Sequence, residues 1–353
     1  MSRRLRDPEC SIQERPLRHV PPGIERSDGV DRRNFMLCVL GSAATLFANS
    51  RATAQTADWP DRPIKIIEYF PAGVARDNRT RVIAEKLSGI LGQLVYVENR
   101  PGAAGRIGLA AAAKSPPDGY TFAMIGPGDA IARHLFELPY DIERDFSPVS
   151  MIETLPVVAV ARASLPVSNV IELVRLAKTH PGELKFGSPG VGSFHHMNGV
   201  LFANLTGTTL QHIPYGQGNP GADLLGGHID LIFDALPPWL ENVKAGRLRA
   251  LAITGETRAP ALPDTPSFGE SGLSAYDTYA FYGLIAPKGT PASVIAKLHQ
   301  AIRQMVEEPK LNRQWISEGG NPTASSPAQF AASIQTESER WGSAIRSNKI
   351  KIE

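Results

Sequence analysis

Cysteine is nearly absent from this chain. Its 353 residues hold only Cys10 and Cys38, both close to the amino terminus. Beyond residue 38 there is none, which excludes a disulfide framework or a cysteine-ligated metal site from the rest of the protein. An excess of charge of one sign is missing too. The formal net charge is +2, but nine arginines and six acids fall in residues 1–54, which leaves 28 basic and 29 acidic side chains after them. A body so close to neutral presents no polyanion-binding surface, and no nucleic-acid partner is expected. The apolar run 36–47 is about a dozen residues, short of the roughly 20 needed to span a bilayer. Sequence signatures of common catalytic and nucleotide sites are also lacking. No G-x-G-x-x-G opens a helix with an acid downstream, there is no G-K-[ST], and no G-x-S-x-G elbow surrounds Ser188 or Ser193. We therefore expect no cofactor, no metal and no turnover.

What is present is apolar enough to fold. The composition is 42% hydrophobic and 20% charged, with 32 glycines and 29 prolines. This is globular composition at a length suited to two domains. The start differs from the body. Asp31-Arg32-Arg33-Asn34-Phe35-Met36 leads into the apolar run and then into Ala52-Thr53-Ala54, a small-x-small pattern. Charged, apolar and small-residue segments in that order read as a secretory signal cleaved near Ala54. The Arg pair before Phe resembles the twin-arginine export signal. Residues 1–30 are polar and fit no part of a signal, and we expect translation to begin at Val30.

After residue 58, hydrophobic periodicity switches repeatedly between strand and helix. Strands are expected at 63–70, 94–98, 120–125, 185–188, 210–215, 229–234 and 249–254. Helices are expected at 77–91, 109–114, 172–179, 196–205, 293–307 and 327–347, with Asp77 as an N-cap, Gly92 as a stop and Trp341 anchoring the last. Alternation of this kind signals βαβ units and mostly parallel sheets. Two crossover strands, 156–161 and 280–286, would join two lobes. Lobe one would comprise 58–158 and 284–353, and lobe two 159–283. The fold class is thus α/β, two-lobed, with helices flanking each sheet and the crossovers acting as a hinge.

Three expected strands end in a Gly/Pro turn that feeds a helix: Phe70-Pro71-Ala72-Gly73, Ile125-Gly126-Pro127-Gly128 and Gly187-Ser188-Pro189-Gly190. Ligands of open α/β sheets bind outside the carboxyl ends of the strands. Free N–H groups at helix starts, where the macrodipole is positive, suit a carboxylate or phosphate. Phe70 and Gly128 enter the candidate site on this ground. Arg76 could pair bidentately with a carboxylate, whereas Asp129 would repel one or accept from an amine or hydroxyl. Tyr215 is the aromatic candidate for the cleft. His195 and His196 are adjacent, point apart on a helix and cannot share a metal; surface or cleft hydrogen bonding is expected of them.

An ordered series of motifs runs through residues 58–353. It includes Trp59-Pro60-x-Arg62-Pro63-Ile64, Phe70-Pro71-Ala72-Gly73, Val97-Glu98-Asn99-Arg100-Pro101-Gly102-Ala103, Ser115-Pro116-Pro117-Asp118-Gly119-Tyr120-Thr121, Asp223-Leu224-Leu225-Gly226-Gly227 and Ala261-Leu262-Pro263-Asp264-Thr265-Pro266. In number and order these motifs resemble the tripartite tricarboxylate transporter substrate-binding family, also called the Bug receptors. The resemblance implies a two-lobed periplasmic receptor of the type II binding-protein architecture. It would close on a small organic carboxylate and deliver it to membrane transporter subunits. Separately, we expect a monomer. It further implies that Ala72, Gly73 and Val74 grip a carboxylate by backbone amides. Ser188, Gly192, Ser193 and His196 would form the lobe-two turn, and Asp77 and Asp234 match acidic positions. This chain departs from the pattern at Val74, Arg76, Asp129, Ala132 and Gly216. Two other readings stay open: a receptor that presents its closed form to a sensor kinase, and a cleft enzyme such as a hydrolase or isomerase.

Overall fold

A computed structural model describes residues 59–216 and 220–347. The expected leader, its cleavage site and the expected start at Val30 lie outside the described residues.

The first half of the fold is three βα units. β1 (Ile64–Glu68) leads into α1 (Ala75–Leu91), β2 (Val95–Asn99) into α2 (Arg106–Ala113), and β3 (Thr121–Ile125) into α3 (Pro127–Ala132). β1 lies between β2 and β3, parallel to both. Ile64, Ile66 and Ile67 of β1 are buried, as is every residue of β3. Strands apolar on both faces suit a parallel sheet covered by helices on each side.

The chain then crosses over on β4 (Phe146–Arg162). In the second half α4 (Val170–Thr179) precedes β5 (Lys185–Ser188), α5 (Phe194–Thr206) precedes β6 (Gln211–Pro214), and α6 (Pro220–Gly226) precedes β7 (Leu231–Ala235). α7 (Leu240–Lys244) and β8 (Leu248–Ile253) complete it. β9 (Tyr279–Pro287) returns to the first half, followed by α8 (Ala292–Val306), α9 (Pro309–Ser317), β10 (Asn321–Pro322) and α10 (Pro327–Ser347).

The strand order is β2-β1-β3-β9-β4-β7-β5-β6, with β8 and β10 pairing with β4 off this path. The outer strands of each half are parallel. The centre is antiparallel: β9 against β3, and β4 against β9 and β7. β4 pairs with β9 from Phe146↔Pro287 to Pro156↔Tyr279, then with β7 and β8 as far as Arg162. These two strands carry the chain between the halves, as expected. β4 is longer than the expected crossover because Pro148 and Pro156 interrupt the apolar pattern, and proline usually argues against an inner strand. Register shifts between Pro148 and Ser150 and between Met151 and Glu153 absorb the irregularity.

Other boundaries differ for local reasons. α1 begins at Ala75, and its N-cap is Val74, which has no side-chain cap. Asp77 is the third helical residue rather than the cap, and its carboxylate reaches back to accept from the Gly73 N–H at 2.8 Å. α2 begins at Arg106 rather than at the expected 109, so Gly108 lies inside the helix. A Cβ there would sit 2.9 Å from Tyr69 Cβ and 3.0 Å from the Arg100 carbonyl, so the glycine lets the helix press onto β1. Helices α3, α6, α7 and α9 are short, and three of them open at proline, which hid them from periodicity.

Each half has its own core, but α10 belongs to both. Phe330 packs with Ile67, Ile125 and Phe281 in the first half. Trp341 packs with Phe186, Met197 and Phe202 of the second half and meets Phe194 edge to face at 6.1 Å. Phe330 also lies directly over Gly283 of β9, where a Cβ would fall 2.1 Å from the ring. Gly283→Ala should therefore destabilise the protein by about 1–3 kcal/mol through overpacking, read as a lower urea midpoint. An unchanged midpoint would mean that Phe330 and α10 yield freely at this contact.

Candidate functional site

The carboxyl ends of β1 and β3 in one half and of β5 and β7 in the other carry the candidate residues. In the turn after β1, Ala72, Gly73 and Val74 are exposed, and Gly73 adopts φ 85°, which favours glycine. Asp77 shapes this turn from beneath. Its fully buried carboxylate accepts from Gly73 N–H, from Asn99 Nδ2 at 2.7 Å and from Arg81 Nε at 2.9 Å. The same Asn99 amide donates to the Phe70 carbonyl at 3.0 Å. Burial opposes ionisation of Asp77, but the bonds from Arg81, Asn99 and Gly73 outweigh it and hold the carboxyl below its usual range. With Asp77 committed to the turn, the N–H groups of the first turn of α1, which have no intrahelical acceptor, are its remaining polar offering.

Arg76 points away from the turn and into the protein. Its Nε lies 3.2 Å from Glu68, a side chain with no exposure, while its two terminal nitrogens donate to Tyr69 Oη at 2.8 Å and to the Met124 carbonyl at 2.9 Å. The guanidinium sits 4.3 Å from the Tyr69 ring centre and 4.9 Å from that of Phe70. Tyr69 in turn donates to Asp129 Oδ2 at 2.6 Å, and the same oxygen accepts from Gly126 N–H at 2.8 Å. Asp129 is thus turned inward, where it caps the start of α3. The expected free cation and free anion are one buried chain of contacts, Glu68–Arg76–Tyr69–Asp129, joined through a tyrosine hydroxyl. Both departures from the family pattern are parts of it.

The turn after β5 is braced in a similar way. Ser188 Oγ lies 2.6 Å from His212 Nε2 and accepts from Gly190 N–H at 3.1 Å. Ser193 is the N-cap of α5, accepting from His196 N–H at 3.3 Å and donating to the Gly190 carbonyl at 2.7 Å. Gly192 N–H donates to His196 Nδ1 at 3.1 Å, so that nitrogen carries a lone pair. His196 stacks on His212 at 4.0 Å, and burial lowers the pKa of both, His212 to about 4. Ser188, Gly192, Ser193 and His196 therefore lie together, linked through the Gly190 backbone, the Gly192 N–H and the His212 ring. Tyr215 is half-buried and donates to Asp223 at 2.5 Å.

The two halves approach each other here. A Cβ on Gly128, in the first turn of α3, would lie 4.0 Å from the Phe194 backbone nitrogen, at the start of α5. Asp234, near the end of β7, accepts from Ala235 N–H at 2.6 Å and Trp239 Nε1 at 2.9 Å, and it pairs with His195 Nε2 at 2.7 Å. Hydrogen bonding was expected of His195, but not Asp234 as its partner. Asn99, Glu68 and Tyr69 were missed, because an acid inside an apolar strand reads as an interruption until its cation is located. Among the described residues no group of three His, Cys, Asp or Glu side chains is placed to hold a metal ion.

Two outcomes follow from the buried chain of contacts. Arg76→Ala strands Glu68 without a cation, so unfolding by denaturant should show a loss of about 3–5 kcal/mol. A neutral effect on stability would mean that the pair does not hold the turns. Burial lifts Asp129 from 3.8 to about 6, against the pull of Arg76, Tyr69 and Gly126. A carboxyl raised by folding contributes most below the unfolded value and loses that contribution as pH climbs through the folded one. Asp129→Asn keeps both hydrogen bonds without the charge. It should therefore be more stable than wild type by on the order of 2 kcal/mol at pH 7.5, with the gap closing toward pH 4. A gap independent of pH would assign Asp129 no burial cost.

With this geometry in place, comparison with known proteins is informative. A family model described as "Tripartite tricarboxylate transporter family receptor" matches residues 79–350. Protein BugT of Bordetella pertussis is 34% identical over 90% of this chain and 98% of its own. A solved Rhodopseudomonas palustris protein with adipate superposes with a TM-score of 0.79 at 32% identity, covering 83% of this chain and 99% of that one. MatC of Rhodopseudomonas palustris, with bound malate, gives a TM-score of 0.76 at 27% identity, covering 81% and 100%. The two sheets, the antiparallel crossover and the turns at their seam are those of a two-lobed binding protein, and the chain belongs to the tripartite tricarboxylate transporter family of receptors.

Proposed function

We propose that this protein is a non-catalytic receptor of the periplasm that captures a small organic carboxylate between its halves and delivers it to membrane transporter subunits. One observation carries the reading. The turn side chains Asp77, Ser188 and Ser193 are already bonded to neighbouring groups, and His196 Nδ1 accepts from Gly192 N–H. Backbone N–H groups at the starts of α1 and α5 are then on offer to a ligand. Both helices are long enough for their dipoles to favour an anion there, and a carboxylate held by several amides needs no cationic side chain. Relatives solved with adipate and with malate support the same class.

The lobes of this reading are residues 58–158 with 284–353, and residues 159–283. β4 and β9 form the connection about which they would close, with ligand shifting an equilibrium between open and closed forms. A leader that exports the protein and is cleaved near Ala54 completes the proposal, together with a monomeric mature form. Among the described residues, no helix is long and apolar enough to cross a membrane.

Thermal unfolding of the chain from Gln55 onward, with adipate, malate, succinate and citrate, tests the core of it. A ligand at a hundred times its Kd should add about 2.7 kcal/mol of stability, and chromatography should recover it unchanged. If every dicarboxylate leaves the transition where it was while an uncharged diamide moves it, the carboxylate reading fails.

A further inference from the structure

His195 stands out among the polar groups at the seam. Its Nε2 lies 2.7 Å from Asp234 Oδ1, while its Nδ1 is buried and has no hydrogen-bond partner. Asp234 already accepts from the Ala235 and Trp239 N–H groups, so its carboxylate acts only as an acceptor. The hydrogen on the neutral His195 ring must then sit on Nε2, and the bare lone pair on Nδ1. A buried acceptor without a donor is costly, and the cost is removed by whatever brings a donor to it.

The position of the pair says what could bring one. Asp234 lies near the carboxyl end of β7 and pairs with Val158 of the crossover strand β4. His195 is in the first turn of α5, next to Phe194, whose nitrogen faces Gly128 of the other half. Burial raises the pKa of Tyr282 of β9, with the Glu153 and Asp234 charges adding to it, and the Tyr282 ring is 5.7 Å from the Arg76 guanidinium. His195 and Asp234 therefore sit where the two halves and the crossover strands meet, beside α5 N–H groups that seek an acceptor. A ligand suited to both has an acceptor and a donor on neighbouring atoms.

We propose that His195 is a specificity-determining residue of this receptor. In this assignment, Asp234 locks the His195 tautomer so that Nδ1 accepts from a donor substituent, a hydroxyl or amine, on the carbon next to the ligand carboxylate. The inference rests on the carboxylate reading above and narrows it to donor-bearing carboxylates. A site built around such a bond discriminates against the analogue that lacks the donor, because the protein acceptor is then left unpaired.

Matched ligands separate the possibilities. Calorimetry at pH 8 would compare malate and aspartate with succinate, which has the same two carboxylates and no donor. Wild type should bind malate or aspartate at least about tenfold more tightly than succinate, and His195→Leu should lose that preference while still binding succinate. Equal affinities in wild type, a preference that survives His195→Leu, or equal weakening of all three ligands would overturn the assignment but leave the carboxylate reading intact. Binding of none of the three would overturn both. If His195→Leu does not fold, 15N NMR of the wild-type imidazole decides instead. A bare Nδ1 whose signal moves with the donor ligand and not with succinate supports the assignment, and a protonated Nδ1 in the neutral ring sinks it.

Discussion

Much of this architecture hangs on a cation that never meets solvent in strength. Arg76 leaves the start of α1, pairs with Glu68 at the end of β1, bonds the end of β3 through the Met124 carbonyl and reaches α3 through Tyr69 and Asp129. Four segments that must present their backbones at one seam are thereby tied to a single planar group. A guanidinium is suited to this because its fork of donors points in several fixed directions at once. The arrangement also uses up its charge. In the proposed carboxylate site, an arginine lies at the root without serving as a ligand, and recognition would pass to backbone dipoles, which keep one sign at every pH.

The second organising element is the antiparallel centre. In each half the outer strands are parallel and their helices cover the faces, yet the halves share β4 and β9. Two continuous strands and α10, whose Trp341 contacts Phe194, connect one half's turns to the other. Packed cores move as bodies rather than deforming gradually. The irregular pairing at Ser150 and Glu153 interrupts the ladder between otherwise regular stretches.

The sequence made most of the scaffold legible, because alternation and length are properties of the unfolded string. The strand 185–188 and the helix 327–347 agree with the structure residue for residue. The turns of the site were readable for the same reason: Gly and Pro after an apolar run leave few backbone choices. Side-chain direction was not. Arg76 and Asp129 are separated by β2, α2 and β3, and no spacing rule shows that a tyrosine hydroxyl will join them. Asp77 illustrates the limit within one helix, since an acid near a helix start reads as a cap, and only three-dimensional contact reveals it bracing the preceding loop.

The first half's core combines Ile64, Ile66 and Phe122 with Ile83 and Leu87 of α1 but also with Leu298, Ile302 and Trp315, so part of the cover of its early strands comes from residues near the other end. The second half is contiguous apart from the α10 contact and can bury most of its surface as soon as it is synthesised. A chain emerging from its amino terminus therefore carries an unfinished hydrophobic sheet through nearly the whole of its synthesis. The α8 and α9 side chains that complete the first half's core are made long after the strands they cover.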